Sequence, residues 1–459
     1  MWPLLSRRMI LPLHERLVGR RTLRYARELE WSQWNSPSEL RALQGRKLWA
    51  LLRHAQANSE FYRRRFADAG LPELSASPAA TGRADPLALL RTLPLLDKAD
   101  IRRSLNAMLW HESPGGLHAH NTGGSTGEPL TFYIDRRRQG YDQAARIRAH
   151  RWFGVEFGDR ELLLWGSPIE LGRTDRIKRA RDRLFNQRLL NAFHMSEARM
   201  DEYMDEWDCF RPRALFGYPS SIARFAAHAA ARGRRPDTRG LRAVFVTGEV
   251  CYPHDRERIA SCFGVPVADG YGSREGGFIA HQCARGAMHV TAENVIVEIV
   301  RDGHVQPAGE SGEIVITHLD AWAMPFIRYR TGDTGRLLGG RCACGRGLPM
   351  MDVVHGRATD FLYLPDGDVK HALSIIYPLR EMRGIDRFRV TQHADYSVTI
   401  DVVCDDSRER ISREAVARRV RPVLGSQVAI EVRLAGEIPP TDSGKFRYVI
   451  SHVVPARSG

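Results

Sequence analysis

Asn121-Thr122-Gly123-Gly124-Ser125-Thr126-Gly127-Glu128-Pro129-Leu130 sets three glycines among hydroxyl residues, and a turn of that kind aims successive backbone N–H groups at a phosphate. A nucleoside-triphosphatase loop of the Walker kind closes on Gly-Lys-Ser/Thr, whose lysine supplies the point charge for the β and γ phosphates. Here Leu130 closes the run, so the cation must come from elsewhere. The chain has five lysines against 63 arginines. One of them, Lys445, ends Pro439-Pro440-Thr441-Asp442-Ser443-Gly444-Lys445, a composition that reads as an exposed turn. Lys445 is the candidate for the missing charge.

Outward from the loop, Leu130 to Ile134 reads as a strand and Arg136 to Trp152 as a helix. Short apolar strands at Glu161 to Trp165 and Ala243 to Val246 then alternate with helical stretches such as Ser220 to Arg232, the pattern of an α/β sheet. Upstream, apolar positions from Leu40 to Phe66 recur at helical spacing, and Leu71 to Pro94 reads as a loop. Past Gly286 come successive strands with turn residues (His289 to Thr291, Val295 to Val300, Gly312 to Thr317, Gly335 to Leu338), which fit an antiparallel sheet or a barrel. From Gly356 onward, strands and a helix recur over about 100 residues, a typical domain size. The expected fold is α/β: a large multi-layer N-terminal domain over 1–355 with a barrel-like β portion, and a smaller α+β domain over 356–459.

Composition excludes a disordered or fibrous chain: of 459 residues, 43% are hydrophobic and 27% charged. The net charge of +14 comes almost wholly from arginine and fits nucleic acid, an acidic membrane surface or anionic substrates such as ATP; the arginines are scattered without interleaved aromatic blocks, so nucleic acid is not the expected partner. No stretch reaches the ~20 apolar residues of a membrane span, and no signal peptide is visible. Leu4, Leu5, Met9, Ile10, Leu13 and Leu17 with Arg7, Arg8 and Arg16 fit an amphipathic helix on a bilayer surface; packing on the body of the protein is the simpler expectation. Seven cysteines without regular pairing argue for a reducing compartment, by default the cytoplasm.

Two further constellations follow. In Asp269-Gly270-Tyr271-Gly272-Ser273-Arg274-Glu275-Gly276-Gly277 an apolar strand ends in an aromatic, glycines and a carboxylate. Tyr271 offers a ring face for a base, and Glu275 an oxygen ligand for Mg²⁺; a plain glycine-rich turn is the competing reading. In Arg328-Tyr329-Arg330-Thr331-Gly332-Asp333-Thr334-Gly335, a carboxylate on a tight turn suits the paired hydroxyls of a ribose, although Thr-Gly-Asp alone is common in hairpins. Cys342-Ala343-Cys344-Gly345 is a tight knuckle with Cys283 and His289 upstream. Three thiolates and an imidazole make a closed structural Zn²⁺ set, against four unrelated residues on a hairpin. Cys209, Cys251, Cys262 and Cys404 read as small core residues, His111, His118 and His120 as solvated loop histidines, and Trp31, Trp34, Trp49 and Trp110 as packing anchors.

The order of these motifs resembles the adenylate-forming superfamily of acyl-CoA synthetases, peptide-synthetase adenylation domains and luciferases. It is most similar to the phenylacetate-CoA ligase family, including relatives associated with capsular polysaccharide biosynthesis. The likeness runs over roughly residues 40 to 450. Beyond the motifs above it includes His54-Ala55 through Phe61-Tyr62-Arg63, Leu93-Pro94-Leu95-Leu96-Asp97-Lys98, Phe216-Gly217-Tyr218-Pro219-Ser220-Ser221, Val246-Thr247-Gly248-Glu249, Gly356-Arg357-Ala358-Thr359-Asp360 and Gly444-Lys445. The resemblance implies ATP-dependent activation of a carboxylic acid as an acyl-adenylate, then transfer to a thiol, coenzyme A or a carrier protein, with an amine as a further acceptor.

It also implies roles. Thr122, Gly123, Gly124, Ser125, Thr126 and Gly127 would hold the β and γ phosphates. Glu249, Tyr271, Gly272 and Ser273 belong to the nucleotide site, Glu275 would bind Mg²⁺, Asp333 the ribose hydroxyls, and Arg357 would stand at the domain junction. Lys445, on a mobile C-terminal domain, would reach the carboxylate and phosphate oxygens. The usual Thr or Ser before the motif glutamate is Arg274 here, a guanidinium that suits a phosphate or the substrate carboxylate, and Thr359 replaces the usual hinge Asp or Lys. Relatives in this branch carry a cysteine pattern like that of Cys283, His289, Cys342 and Cys344. A nucleotide-sensing scaffold without turnover, or a nucleic-acid binder, is the alternative class.

Overall fold

The computed structural model describes residues 2–74, 85–121, 130–165, 181–192, 195, 197–352, 355–357, 361–366, 369–371, 373–404, 411–439 and 447–453. The chain divides into two compact units, Met1–Val354 and His355–Gly459.

In the first unit, β1 (His118–Asn121) and β2 (Thr131–Ile134) form an antiparallel hairpin. The strands β3 (Glu161–Trp165), β4 (Gln187–Asn191), β5 (Ala214–Gly217), β6 (Ala243–Thr247), β7 (Val267–Ser273), β8 (Gly277–Gln282) and β9 (Met288–Val290) come next. After them run β10 (Val295–Arg301), β11 (His304–Val305), β12 (Gly312–His318), β13 (Tyr329–Gly335), β14 (Leu337–Leu338) and β15 (Met350–Met351). The large sheet is ordered β14-β15-β9-β8-β7-β6-β5-β3-β4. From β4 to β7 its pairs are parallel, and from β7 to β14 they are antiparallel. The sense of pairing therefore changes at β7.

Alternation along the parallel strands explains why they are covered on both faces. Val244 and Val246 pack with Trp207, Phe225 and Phe263 of the helices Glu197–Phe210, Pro219–Ala231 and Pro253–Phe263. Ala243 and Phe245 point the other way, where the ring of His150, on helix Arg136–Arg151, stacks on Phe245 at 3.8 Å. Asp135 caps that helix by accepting from the Arg138 N–H at 2.7 Å. Among the described residues the second sheet of this unit runs β11-β10-β12-β13 in open antiparallel order, and it shares a core with the helices Pro37–Asn58, Glu60–Asp68 and Lys98–Met108. Buried ion pairs lock the layers together: Arg148 to Glu293 at 2.6 Å and Arg328 to Glu298 at 3.1 Å. Removing one partner of such a pair costs about 3–5 kcal/mol.

The second unit has a four-stranded sheet ordered Ile430–Leu434, Val398–Cys404, Ile385–Gln392, Val449–Ser451, with helices Leu373–Arg380 and Arg413–Leu424.

Several expectations are corrected. The stretch Leu71 to Pro94 contains the helix Pro86–Thr92, because Asp85 accepts from the Leu87 N–H and Pro86 occupies its first turn. His118 and His120 lie in β1, paired opposite Ile134 and Phe132, and are not loop residues. Trp31 and Trp34 are exposed on helix Thr22–Ser32 and just beyond it, so of the four tryptophans only Trp49 is buried in the core. Cys209 and Cys404 are exposed and not core. Asp333 lies within β13, not on a tight turn.

Candidate functional site

Four chain segments meet at the carboxyl ends of the parallel strands, where open α/β sheets bind ligands. The first is the end of β5, with Tyr218-Pro219-Ser220. Tyr218 stacks on Trp165, the last residue of β3, at 4.1 Å. The second is the end of β6. Gly248 adopts φ +83°, and a Cβ there would meet the Tyr218 ring at 3.1 Å, so only glycine allows this approach. Glu249 accepts from the hydroxyl of Ser220 at 2.6 Å and from its N–H at 3.3 Å. The third is the end of β7, tied to β6 by the Thr247 hydroxyl donating to the Gly270 carbonyl at 2.6 Å.

The fourth segment is β13, and it interlocks with β7. Tyr271 donates to Asp333 at 3.0 Å, and Tyr329 donates to Glu275 at 3.1 Å. Each motif thus supplies a tyrosine to the carboxylate of the other. Tyr329 and Asp333 are four apart on one strand and share its buried face. Beneath the 273–277 turn, Arg138 is 1% exposed and donates to the carbonyls of both Arg274 and Glu275 at 2.7 Å. The Ser273 hydroxyl accepts from the Gly276 N–H at 2.8 Å. Gly272 packs so tightly that a Cβ would lie 2.4 Å from the Gly277 carbonyl oxygen.

Thr122, Gly123, Gly124, Ser125, Thr126 and Gly127 lie outside the described residues, as does Lys445; of Arg357 only the backbone is described. The flanks of the glycine loop are described. Asn121 pairs with Thr131 across the hairpin, and the Thr131 hydroxyl donates to the Asn121 side chain at 2.9 Å. Arg274 reaches this entrance and donates to the Asn121 carbonyl at 2.7 Å. The guanidinium that replaces the usual hydroxyl therefore grips the main chain at the mouth of the loop.

Burial shifts two groups beneath the site. It pushes the Asp269 carboxyl up to about 6, against the lowering pull of Arg256, 3.7 Å away. His281 is pulled down to about 4, chiefly by burial, and stays neutral.

Cys283, His289, Cys342 and Cys344 come together with their ligand atoms within 4.8 Å of one another. The Cys283 and Cys342 sulfurs are 3.8 Å apart, and Cys344 sulfur is 3.3 Å from His289 Nε2. Tetrahedral zinc with Zn–S bonds of about 2.3 Å needs sulfurs about 3.8 Å apart. His289 Nδ1 faces the Leu348 carbonyl at 3.2 Å, which leaves Nε2 as the ligand atom. Burial holds this imidazole below its ordinary pKa, the neutral form a metal requires. The N–H groups of Arg285 and Cys344 point at Cys283 and Cys342 sulfurs at 3.4 Å each. The donor set fits a closed structural ion.

Sequence reasoning missed Arg138, Tyr329, Ser220 and Trp165. Arg138 sits in Arg136-Arg137-Arg138, and nothing local marks the last residue of a basic run as buried. Tyr329 and Ser220 lie inside quoted motifs, where a hydrogen-bonding side chain beside a carboxylate was the available signal.

Comparison with known proteins gives the class. The AMP-binding enzyme family model matches residues 191–320, and the CapK C-terminal domain model matches residues 362–452. A 2-hydroxyisobutyryl-CoA ligase structure in its postadenylation state superimposes with TM-score 0.73 at 21% identity, covering 92% of this chain and 91% of that one. This fold, with an AMP-binding segment spanning β5 to β12, defines an adenylate-forming, AMP-forming ligase.

Protein CapK of Staphylococcus aureus is 22% identical over 91% of this chain and 90% of its own. The phenylacetate-coenzyme A ligase of Thermus thermophilus is 24% identical over 90% and 96%. Over most of its length the chain is thus similar both to CapK and to phenylacetate-coenzyme A ligases.

Proposed function

We propose that this ligase activates a small carboxylic acid as its acyl-adenylate, releases pyrophosphate, and passes the acyl group to the thiol of coenzyme A. The reading is carried by the paired tyrosine–carboxylate interlock of β7 and β13 beside the entrance of the glycine loop. A nucleotide needs both ends held, and the turn after β7 that carries Arg274 reaches Asn121, the residue at which the chain enters the glycine loop.

In this reading Tyr271, Gly272 and Ser273 bear the adenine, and Asp333 takes the ribose hydroxyls, with Tyr271 fixing its carboxylate. Thr122 to Gly127 hold the β and γ phosphates, Arg357 lies near the nucleotide, and Glu249 orients the Ser220 turn at its edge. Glu275, a hard oxygen donor held by Tyr329, is the residue that would bind Mg²⁺, which neutralises phosphate charge when bound. Arg274 fixes the loop entrance. Lys445, from the domain over 356–459, meets the charge that grows on the in-line oxygens as the carboxylate attacks the α-phosphate. Cys283, His289, Cys342 and Cys344 hold a structural Zn²⁺. Coenzyme A as acceptor is supported by the phenylacetate-coenzyme A ligase relatives; a carrier-protein thiol or an amine is the second reading.

Pyrophosphate release with aryl, short hydroxy, fatty and amino acids tests the adenylation step, and release with none of them would sink it. Adding coenzyme A to the acid that works should yield a thioester; persistence of the acyl-adenylate would move the acceptor to a carrier protein or amine.

A further inference from the structure

The segment over residues 2–17 forms one helical rod, Trp2–Leu5, a π-helical stretch Ser6–Ile10, and Leu11–Leu17. Its buried residues Ser6, Leu11 and Glu15 are spaced five and then four apart. The five-residue step falls on the π turn, where each hydrogen bond spans one residue more than in an α-helix. In a plain α-helix a spacing of four drifts by about 40° per step. The π turn offsets that drift and keeps a second row, Leu5, Met9, Leu13 and Leu17, in line on the outer side.

That outer row is open to solvent: Met9 is 64% exposed, Leu13 59% and Leu17 78%, with Trp2 and Leu4 exposed at the start. The rod is also held firmly. Arg7 donates to the Phe157 carbonyl at 3.1 Å, and His14 meets Phe185 edge-on at 5.0 Å. Glu15 accepts from Arg20 at 2.6 Å and from the Thr22 N–H at 3.0 Å. A Cβ at Gly158 would lie 2.8 Å from the Pro3 carbonyl oxygen, so the rod presses directly on the body. The apolar row is thus presented on a fixed support.

Charge points to the occupant. Over residues 2–21 Glu15 is the single acid and it is buried, whereas Arg8, Arg16 and Arg21 are exposed. Among the described residues neither Arg8 nor Arg16 pairs with a carboxylate. An apolar row flanked by unpaired guanidiniums is the pattern of a helix lying in the headgroup layer, its leucines in the acyl boundary and its arginines on lipid phosphates. We propose that the 2–17 helix seats this protein on an anionic membrane surface, apolar row inward. Among the described residues no helix is long and apolar enough to cross a membrane.

The test is sedimentation of the full chain with vesicles of phosphatidylcholine alone or mixed with phosphatidylglycerol. The chain should sediment with the anionic vesicles, less so as salt rises. A Met9→Gln/Leu13→Gln/Leu17→Gln variant should lose about tenfold or more in partition, with its melting temperature and adenylation unchanged because these side chains touch solvent. An Arg8→Gln/Arg16→Gln variant should lose binding to anionic vesicles specifically, and it decides the matter if the triple variant does not fold. Equal sedimentation of wild type and variants, or none by wild type, overturns the proposal. So does a concentration-dependent dimer that the triple variant abolishes while neither protein binds vesicles, which would make the row an interface between copies.

Discussion

Tyr271 donates its hydroxyl to Asp333 across 3.0 Å and so joins the end of β7 to β13. If Asp333 takes the ribose hydroxyls, Tyr271 sets the carboxylate plane for a bidentate contact. Asp333→Asn keeps the shape but removes the charge of the acceptor, and hydrogen bonds to charged groups are worth about 1.5–3 kcal/mol. ATP affinity should therefore fall by about tenfold to a hundredfold. Tyr271→Phe should cost less, and the double variant should cost less than the sum of the two. Additive losses in KM for ATP would show that the two side chains do not act together.

Arg138 should matter well beyond its distance from solvent. Its guanidinium holds the carbonyls of Arg274 and Glu275, both at 2.7 Å. Arg138→Met keeps much of the bulk but leaves both carbonyls without that donor, and a buried orphaned group costs about 1–3 kcal/mol. The expected outcome is a raised Mg²⁺ requirement and a raised KM for ATP, with Arg138→Lys partly restoring both. A variant that loses thermal stability while its Mg²⁺ and ATP dependence stay unchanged would reduce Arg138 to a packing role.

The cysteine cluster makes a separable prediction. A Cys342→Ser/Cys344→Ser variant removes two of four ligands and should abolish zinc measured by elemental analysis of the purified protein. Its melting temperature should fall, because metal-binding energy contributes to folding. Strong chelator should produce the same loss in wild type and none in the variant. Equal zinc in both proteins would dispose of the site.

The sequence makes the motif order and the cluster of Cys283, His289, Cys342 and Cys344 readable because both depend on residue types that serve few other purposes. Gly272 and the Cys342-Ala343-Cys344 knuckle carry their reason locally, in a backbone that leaves no room for a Cβ or in a thiol that needs partners. What stays hidden is long-range. Nothing near Arg274 announces that it will bond the main chain 153 positions away, and nothing in Arg136-Arg137-Arg138 separates the buried guanidinium from its neighbours. Trp31 and Trp34 mislead for the opposite reason: a tryptophan's bulk predicts burial, yet one lies on the outer side of helix Thr22–Ser32 and the other on the exposed turn just after it. The helix Pro86–Thr92 went unread because a segment rich in Ala, Ser, Pro and Gly masks a single short helix with an Asp cap.

Acid stability should reflect two buried histidines, His281 on β8 of the large sheet and His150 on the helix packed against it. His281 is held down to about 4 by burial, and His150 well below its ordinary value for the same reason. Below pH 6.5 the unfolded chain binds protons that the folded one refuses, so their contribution is present above that pH and is lost as pH falls toward 4. His281 alone accounts for up to about 3 kcal/mol. His281→Phe should flatten the slope of melting temperature between pH 6.5 and 4, leaving the part due to His150. A slope equal to that of wild type would assign the acid sensitivity elsewhere.

The proposed role of Lys445 separates the two half-reactions. An ammonium supplied to the carboxylate and phosphate oxygens matters while charge develops at the α-phosphate, and such a preorganised donor is worth about 10² to 10³ in rate. Lys445→Ala should therefore lower acid-dependent pyrophosphate release by about that factor. Thioester formation from a supplied acyl-adenylate and coenzyme A should be spared, because the bond that needed the charge is already made. Lys445→Arg tests geometry, since it keeps the charge but spreads it over a planar fork that cannot replace a compact ammonium. It should recover little of the first step. Equal losses in both half-reactions would mean that Lys445 supports the fold of its domain or the binding of both substrates, and the cation that the glycine loop lacks would have to be sought among the arginines.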